Sequence, residues 1–367
     1  MDHQTLLTDF VRQNIAPALR EAPINIEKLF GQASARQYFR ATLNADNEPL
    51  TYVIMKMPQG FASPAEEITK LKDGAPQEFP FLNVQAYLKK IDVPVPEVYG
   101  QDAENGLLLL QDLGGQSLED VVSKTSGEFR LFYYKKVIDT LLHLQTQAQQ
   151  NPDPKCLVNF REFNTDLLDW EFYHFLEYGI EDRKMMKVSD DERDAFRNAA
   201  HSISLIIQNM PKSFVHRDFQ SRNLMMHGYE FYLIDFQDAL TGPQLYDLVA
   251  LLRDSYIALS EAELDALLEH YHAGLSENNF YKNKKEQLYR DFFLITLQRK
   301  LKDTGRFQFI HTVKGNSMFL EHVPTSLSHI QHAFSWLENN KSCLDNSLAE
   351  AVNELHKIVR DHLDEIN

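Results

Sequence analysis

The stretch that most restricts what this chain can become reads Phe214-Val-His-Arg-Asp-Phe-Gln-Ser-Arg-Asn-Leu-Met-Met226, then Tyr232-Leu-Ile-Asp-Phe-Gln-Asp238. Apolar runs too short for helices flank a loop crowded with charged and amide side chains. Asp218 and Asn223 lie five residues apart on that loop, and Asp235 ends the second apolar run twelve residues after Asn223. A solvated turn followed by a capping aspartate is the bland alternative, and apolar strands on both sides speak against it. Phosphoryl transfer asks one carboxylate to take the proton of an attacking hydroxyl, and hard oxygen ligands to hold Mg²⁺ against ATP phosphates. Asp218 suits the first role, and Asn223 and Asp235 suit the second. His216 reads as a hydrogen-bonding brace.

Around this stretch the chain changes character. An amphipathic helix is expected in the first 20 residues, with Leu6, Leu7, Phe10, Val11 and Ile15 at helical spacing. Strands are expected at Gln37–Leu43 and Tyr52–Met57, a helix at Phe81–Lys90 stopped by the prolines that follow, and a buried strand at Leu107–Leu110. After Gly114-Gly115 helices are expected from Ser117 to about Gln149, over Asn164–Tyr178 and Val188–Asn209, and from Tyr246 onward. Short strands at Leu224–Met226 and Phe231–Ile234 interrupt them. The expected class is α+β and bilobal, with a small strand-rich lobe at 1–112 and a large, mainly helical lobe at 113–367.

A length of 367 residues accommodates two such lobes. With 37 basic against 53 acidic residues the net charge is −16, which disfavours nucleic acid as a partner and favours cations, among them Mg²⁺ and polyamine-like substrates. Only Cys156 and Cys343 are present, so neither a disulfide framework nor a cysteine-rich zinc site is expected, and a reducing, cytoplasmic compartment fits. The first residues lack the basic and apolar segments of a signal peptide, and no apolar run is long enough to span a membrane.

His216-Arg-Asp218 with Asn223 five residues on matches the catalytic-loop spacing of protein kinases. Ile234-Asp-Phe236 resembles their metal-binding motif, with Gln237 where they carry glycine. The longer string HRDFQSRNLMM…YLIDFQDALTGPQLYDLVALLRDSY resembles the aminoglycoside-phosphotransferase-like kinases. Within them it is most similar to the bacterial cell-wall amino-sugar kinases that phosphorylate the anomeric hydroxyl of N-acetylmuramate and N-acetylglucosamine. Gly31–Arg40, Leu113-Gly114-Gly115 and Gln298–Phe307 are similar to that subgroup too, so the resemblance covers nearly the whole chain. It implies a protein-kinase-like fold, ATP and Mg²⁺ as cofactors, a sugar as small-molecule acceptor, and a monomer.

The resemblance also implies nucleotide contacts. Gly31 and Ser34 would cover phosphates from a loop that lacks the full G-x-G-x-x-G, and Lys56 would reach them from the end of a strand. A surface lysine ending a strand is the alternative for Lys56. Gln111-Asp112-Leu113 resembles the hinge whose backbone holds adenine. The glutamate that pairs with such a lysine has no evident counterpart: Asn83 falls near its position, and Glu66, Glu67 and Glu78 lie upstream.

On the acceptor side, Glu171 sits on an aromatic-rich helix in the region where such kinases build their pocket, with a plain solvated face as the alternative. Arg299, Lys302 and Arg306 share one helix face, placed to bind a sugar carboxylate or phosphate or to pair with the surplus acids. Arg306 is the acceptor-binding candidate among them. Asp238 either extends the metal cluster or is structural, and Asp247 is expected to cap the helix it begins. Kinases of aminoglycosides, choline-like or other metabolites, and a nucleotide-binding scaffold of pseudokinase type, stand as alternatives to the amino-sugar kinase.

Overall fold

The computed structural model describes residues 3–29, 36–45, 48–57 and 71–363; Gly31, Ser34, Glu66 and Glu67 lie outside the described residues. Five antiparallel strands form one sheet in the order β1-β2-β3-β5-β4: β1 (Ile24–Leu29), β2 (Gln37–Ala45), β3 (Glu48–Lys56), β4 (Val98–Asp102) and β5 (Leu107–Gln111). Helix α1 (His3–Asn14) covers one face and α2 (Pro80–Lys90) the other. This explains the all-leucine run of β5. Alternate side chains point to opposite faces, so Leu107 and Leu109 pack with Leu7, Phe10 and Val11, while Leu108 and Leu110 join the core containing Val84 and Leu88. A strand covered on both faces reads as a continuous apolar run. The edge strands β1 and β4 bury one residue and none respectively, so their sequences do not announce them.

Beyond β5 the chain is mainly helical: α3 (Leu118–Val122), α4 (Gly127–Gln150), α5 (Thr165–His174), α6 (Asp190–Gln208), α7 (Tyr246–Leu252), α8 (Glu261–Gly274), α9 (Lys285–Lys314), α10 (Val323–Asn339) and α11 (Asn346–His362). Two ribbons interrupt the helices, β6 (Lys212–Val215) with β9 (Leu240–Pro243), and β7 (Leu224–His227) with β8 (Glu230–Leu233).

Three local features differ from expectation or matter for the site. The single helix expected over 117–149 is two, because Ser117 and Asp120 form a capping box that starts a short α3 before α4 begins at Gly127. The helix expected to end at Tyr178 instead passes at Phe175 into π-helical winding through Asp182. Buried Glu181 anchors that end, accepting from Lys187 Nζ at 2.8 Å and the Val188 N–H at 3.2 Å. Here α9 crosses α5 at Gly305, where a Cβ would come within 2.8 Å of both the His174 carbonyl oxygen and Phe175 Cα.

Helix α9, 30 residues long, is buried on nearly all sides, so Gln298, Arg299, Lys300 and Asp303 sit inside protein. Polar groups on a helix without a wet face need internal partners. Among the described residues no helix is long and apolar enough to cross a membrane.

Candidate active site

β6 delivers His216, and the loop that follows closes through a 3₁₀ turn, Ser221–Asn223, into β7. Arg217 has φ +81°, a left-handed conformation that costs a non-glycine residue about 1–3 kcal/mol and persists where its surroundings over-determine it. Those surroundings are visible. The Asp247 carboxylate accepts the N–H groups of His216 at 2.6 Å and Arg217 at 3.0 Å, and Arg299 Nη1 donates to the Arg217 carbonyl at 2.8 Å. Arg217 Nη2 lies 3.7 Å from Glu171 Oε1, whose partner oxygen accepts from Gln298 Nε2 at 2.7 Å. Further along, buried Asp254 accepts the Ser221 N–H at 2.8 Å and its hydroxyl at 2.5 Å. His216 Nε2 meets the Ile234 carbonyl at 2.9 Å, joining this loop to the one that carries Asp235; burial holds the imidazole below its usual pKa.

Asp247 therefore does not cap α7. Leu245 is the N-cap, and Asp247, one position inside the first helical residue, reaches back toward β6. Burial pushes its carboxyl up to about 6 despite His216 and the two N–H groups it accepts.

Asp218 faces the cleft with its side chain 45% exposed, and Arg299 Nη2 approaches its Oδ1 at 3.5 Å. Burial alone would raise its pKa, but the charges of Arg299, Lys302, Arg217 and His216 outweigh it and hold the carboxyl below the ordinary range. The carboxylate is thus ionised at neutral pH and able to accept a proton. Arg299 itself is 1% exposed and lies 4.9 Å from the Tyr246 ring, so it is a partner of Asp218 and the loop rather than a surface anion receptor. Lys302 pairs with Asp303 at 3.0 Å, and Arg306 sits 5.0 Å from the Phe309 ring. Glu171, 2% exposed, lies behind the loop with both oxygens directed at internal partners.

Asn223 Nδ2 donates to the Asp218 carbonyl at 2.9 Å, which leaves Oδ1 for another ligand. The Ile234 N–H donates to the Asn223 carbonyl at 3.1 Å and brings Asp235 alongside, itself at φ +63°. Gln237 Nε2 bridges Asp235 at 2.9 Å and Asp238 at 3.1 Å. Arg36, just before β2, spans the lobes to the same two carboxylates at 3.0 and 3.3 Å. Burial raises the Asp235 pKa, Arg36 opposes it, and neighbouring Asp218 and Asp238 add to the rise.

The donor set fits Mg²⁺. Asn223 Oδ1 and the Asp235 carboxylate are hard oxygens in an electron-rich corner, and Gln237 Oε1 is buried there without a hydrogen-bond partner among the described residues. Among the described residues no trio of His, Cys, Asp or Glu side chains is arranged to hold a metal. Mg²⁺ usually takes one or two carboxylates and completes its shell with phosphates and water.

On the nucleotide side, Lys56 ends β3 opposite Leu107, half-buried, and no carboxylate among the described residues pairs with it. Glu78 instead bonds Asn83 Nδ2 at 2.7 Å, while Asn83 Oδ1 accepts the Leu157 N–H at 2.7 Å, so both serve to dock α2. Gln111 exchanges its N–H and side-chain oxygen with Glu97 at 2.9 and 3.2 Å. Asp112 is held by Arg40 at 2.6 and 3.0 Å and by the Gly114 N–H at 2.9 Å. Between them, the peptide groups of Leu113 have no partner among the described residues.

Sequence reasoning missed Arg36, Asp254 and the bracing role of Asp247. Arg36 lies inside the Gly31–Arg40 segment already singled out, and Asp254 inside the LLRDSY string, but neither spacing reveals a partner 199 or 33 residues away.

The phosphotransferase enzyme family model matches residues 25–281. The N-acetylmuramate/N-acetylglucosamine kinase of Pseudomonas putida is 28% identical over 330 residues, covering 88% of this chain and 87% of that protein. Its namesake in Neisseria meningitidis is 27% identical, covering 82% of each. Among solved structures, choline kinase of Cryptosporidium parvum superposes with a TM-score of 0.61 at 13% identity, covering 93% of this chain and 98% of that one. An ADP-bound aminoglycoside phosphotransferase gives 0.54 at 14% identity, covering 90% and 98%. The fold is thus kinase-like, a strand-rich lobe beside a mainly helical one, and the chain belongs to the phosphotransferase enzyme family.

Proposed function

We propose that this phosphotransferase moves the γ-phosphoryl group of ATP to a hydroxyl of an N-acetylated amino sugar, N-acetylmuramate or N-acetylglucosamine, with Mg²⁺. The observation that carries the chemistry is Asp218: an ionised, half-exposed carboxylate fixed by Arg299, next to the hard-oxygen pair Asn223 and Asp235. The names of the relatives, matched over more than four-fifths of the chain, support the acceptor. Residues 1–112 would grip the nucleotide and 113–367 supply the base, the metal ligands and the acceptor pocket.

In this reading Leu113 offers its free peptide N–H and C=O to the purine edge, and Lys56 approaches the phosphates. Gly31 and Ser34 belong to the segment that would cover them. Asn223 and Asp235 would hold Mg²⁺, which neutralises charge developing on the transferring group. The acceptor hydroxyl oxygen forms its bond to phosphorus as the bond to the bridging oxygen of ADP breaks, and the hydroxyl proton passes to Asp218. Glu171 and Arg306 border the acceptor region, Glu171 acting through Arg217.

The test is transfer from [γ-³²P]ATP onto N-acetylmuramate, N-acetylglucosamine, an aminoglycoside and choline. Labelling of the two N-acetyl sugars is expected. Labelling of only the cationic acceptors would replace the sugar with their class. Thermal stabilisation by Mg-ATP with no labelled acceptor would favour a nucleotide-binding scaffold.

A further inference from the structure

Arg253, directly after α7, is 3% exposed, yet among the described residues no carboxylate pairs with it. Its Nη1 donates to His329 Nδ1 at 3.5 Å and its Nη2 to His332 Nδ1 at 2.8 Å, while Nε has no partner among the described residues. The rings of Phe292 and Phe293 lie 6.0 and 5.5 Å from the guanidinium. His329 directs Nε2 at the Asp254 carbonyl at 3.3 Å, which fixes Nδ1 as an acceptor. Burial first, and then the charge of Arg253, hold both imidazoles below their usual pKa. A buried guanidinium surrounded by neutral acceptors and aromatic faces lacks its counter-charge, a rare and costly arrangement.

The guanidinium borders an open cavity of about 680 Å³ lined by Ser260, Thr325, Ser328, Gln331, His332 and Ser335. Their hydroxyl, amide and imidazole groups share the wall with apolar surface from Ala258, Leu259 and Pro324. The nearest rim acid, Glu261, is 84% exposed and 3.8 Å from His332 Nε2; it and Asp265 are the acids whose charge reaches Arg253. The cavity is distinct from the Asp218 cleft, since Asp218, Asn223 and Asp235 are not among its lining residues, although Asp254 next to Arg253 holds Ser221 on the Asp218 loop.

We propose that this cavity is a second ligand site, taking a small phosphate-type oxyanion, free or as a monoester, that gives Arg253 the anionic partner the protein withholds. A planar guanidinium fork pairs two oxygens of such an anion, and the surrounding hydroxyls meet the remaining oxygens.

The site has a built-in reporter. The chain holds two tryptophans, and Trp336 stacks on Phe293 at 4.5 Å, directly beneath the Arg253–His332 pair. In Trp170→Phe protein, separate titrations with inorganic phosphate and N-acetylglucosamine 1-phosphate are expected to give a saturable change in Trp336 emission with at least one. The arm that responds identifies the source. Arg253→Met should weaken that response at least about tenfold, and His332→Gln should weaken it less. Crystals soaked in tungstate should show an anomalous peak against Arg253. The proposal fails if neither ligand alters Trp336 emission up to about 10 mM, well into the weak range. It fails equally if Arg253→Met titrates like its parent, or if tungstate appears only in the Asp218 cleft. Should Arg253→Met not fold, His332→Gln and the tungstate map decide.

Discussion

The two ends of the proposed catalytic cleft hold their carboxylates by different means. Asp218 is fixed from within the helical lobe: Arg299 from the core of α9 reaches both its carboxylate and the preceding carbonyl, and Asp247 grips the two preceding N–H groups. Asp235 is held by Gln237 beside it and by Arg36 from the opposite lobe. Their pKa values move in opposite directions, below the ordinary range for Asp218 and above it for Asp235. A general base gains from such fixed support, since it must be ionised and aimed before the acceptor arrives. A cation ligand gains from a partner that can leave. The cleft joins a preorganised half to an exchangeable one.

The severest way to break this comparison is to remove the proposed base. Asp218→Asn should cut kcat about 10²–10⁴-fold while leaving the dissociation constant of Mg-ATP, measured calorimetrically, nearly unchanged. A variant that turned over normally would take the base role away from Asp218.

Arg299→Met asks whether the support matters apart from the group supported. In the folded protein the Asp218 pKa is depressed, so its stabilising contribution is present above the unfolded value and disappears as pH falls through the folded one. The acidic limb of kcat/KM against pH should therefore lie below the ordinary carboxylate range in the parent. Without Arg299 it should rise by about one to three pH units, with partial return in Arg299→Lys. A limb that stayed in place while kcat fell would make Arg299 merely structural. A milder disturbance of the same half is Gly305→Ala, which sets a methyl against the His174 carbonyl and Phe175 Cα where α9 meets the π-helical turn. It should cost about 1–3 kcal/mol in urea unfolding, the usual penalty of overpacking.

The same division explains what could be read from the sequence. Asp218, Asn223 and Asp235 belong to one local run, so their spacing carried them, and β5 announced itself because both of its faces are covered. What stayed hidden is fixed by distant packing. Arg299 reads as one of three cations at helical spacing, open either to a bound anion or to an acidic partner, and nothing local says that α9 is buried nearly all round and that the partner is Asp218. Asp247 sat where a capping residue belongs, and only the fold shows β6 within its reach. β6 is foreshadowed only as the apolar approach to the Asp218 loop, and β9 has no counterpart among the expected strands; it contains Gly242 and Pro243, residues that weaken a strand assignment.

The finest test bears on the exchangeable half. Arg36, with 13% of its side chain exposed, bonds two carboxylates that are each 35% exposed, so screening is partial and its loss should cost about 1 kcal/mol or less of stability. If Arg36 stands in for a cation, Arg36→Gln should free Asp235 and tighten divalent binding in nucleotide-free protein, a change read by Mn²⁺ titration with electron paramagnetic resonance. Mg²⁺ should then raise the melting temperature of Arg36→Gln more than that of the parent. If Mn²⁺ binding weakened instead, Arg36 would be supporting the metal corner rather than occupying it. Asp235 would then be as rigidly pre-set as Asp218, held through a contact between lobes in place of one within a lobe.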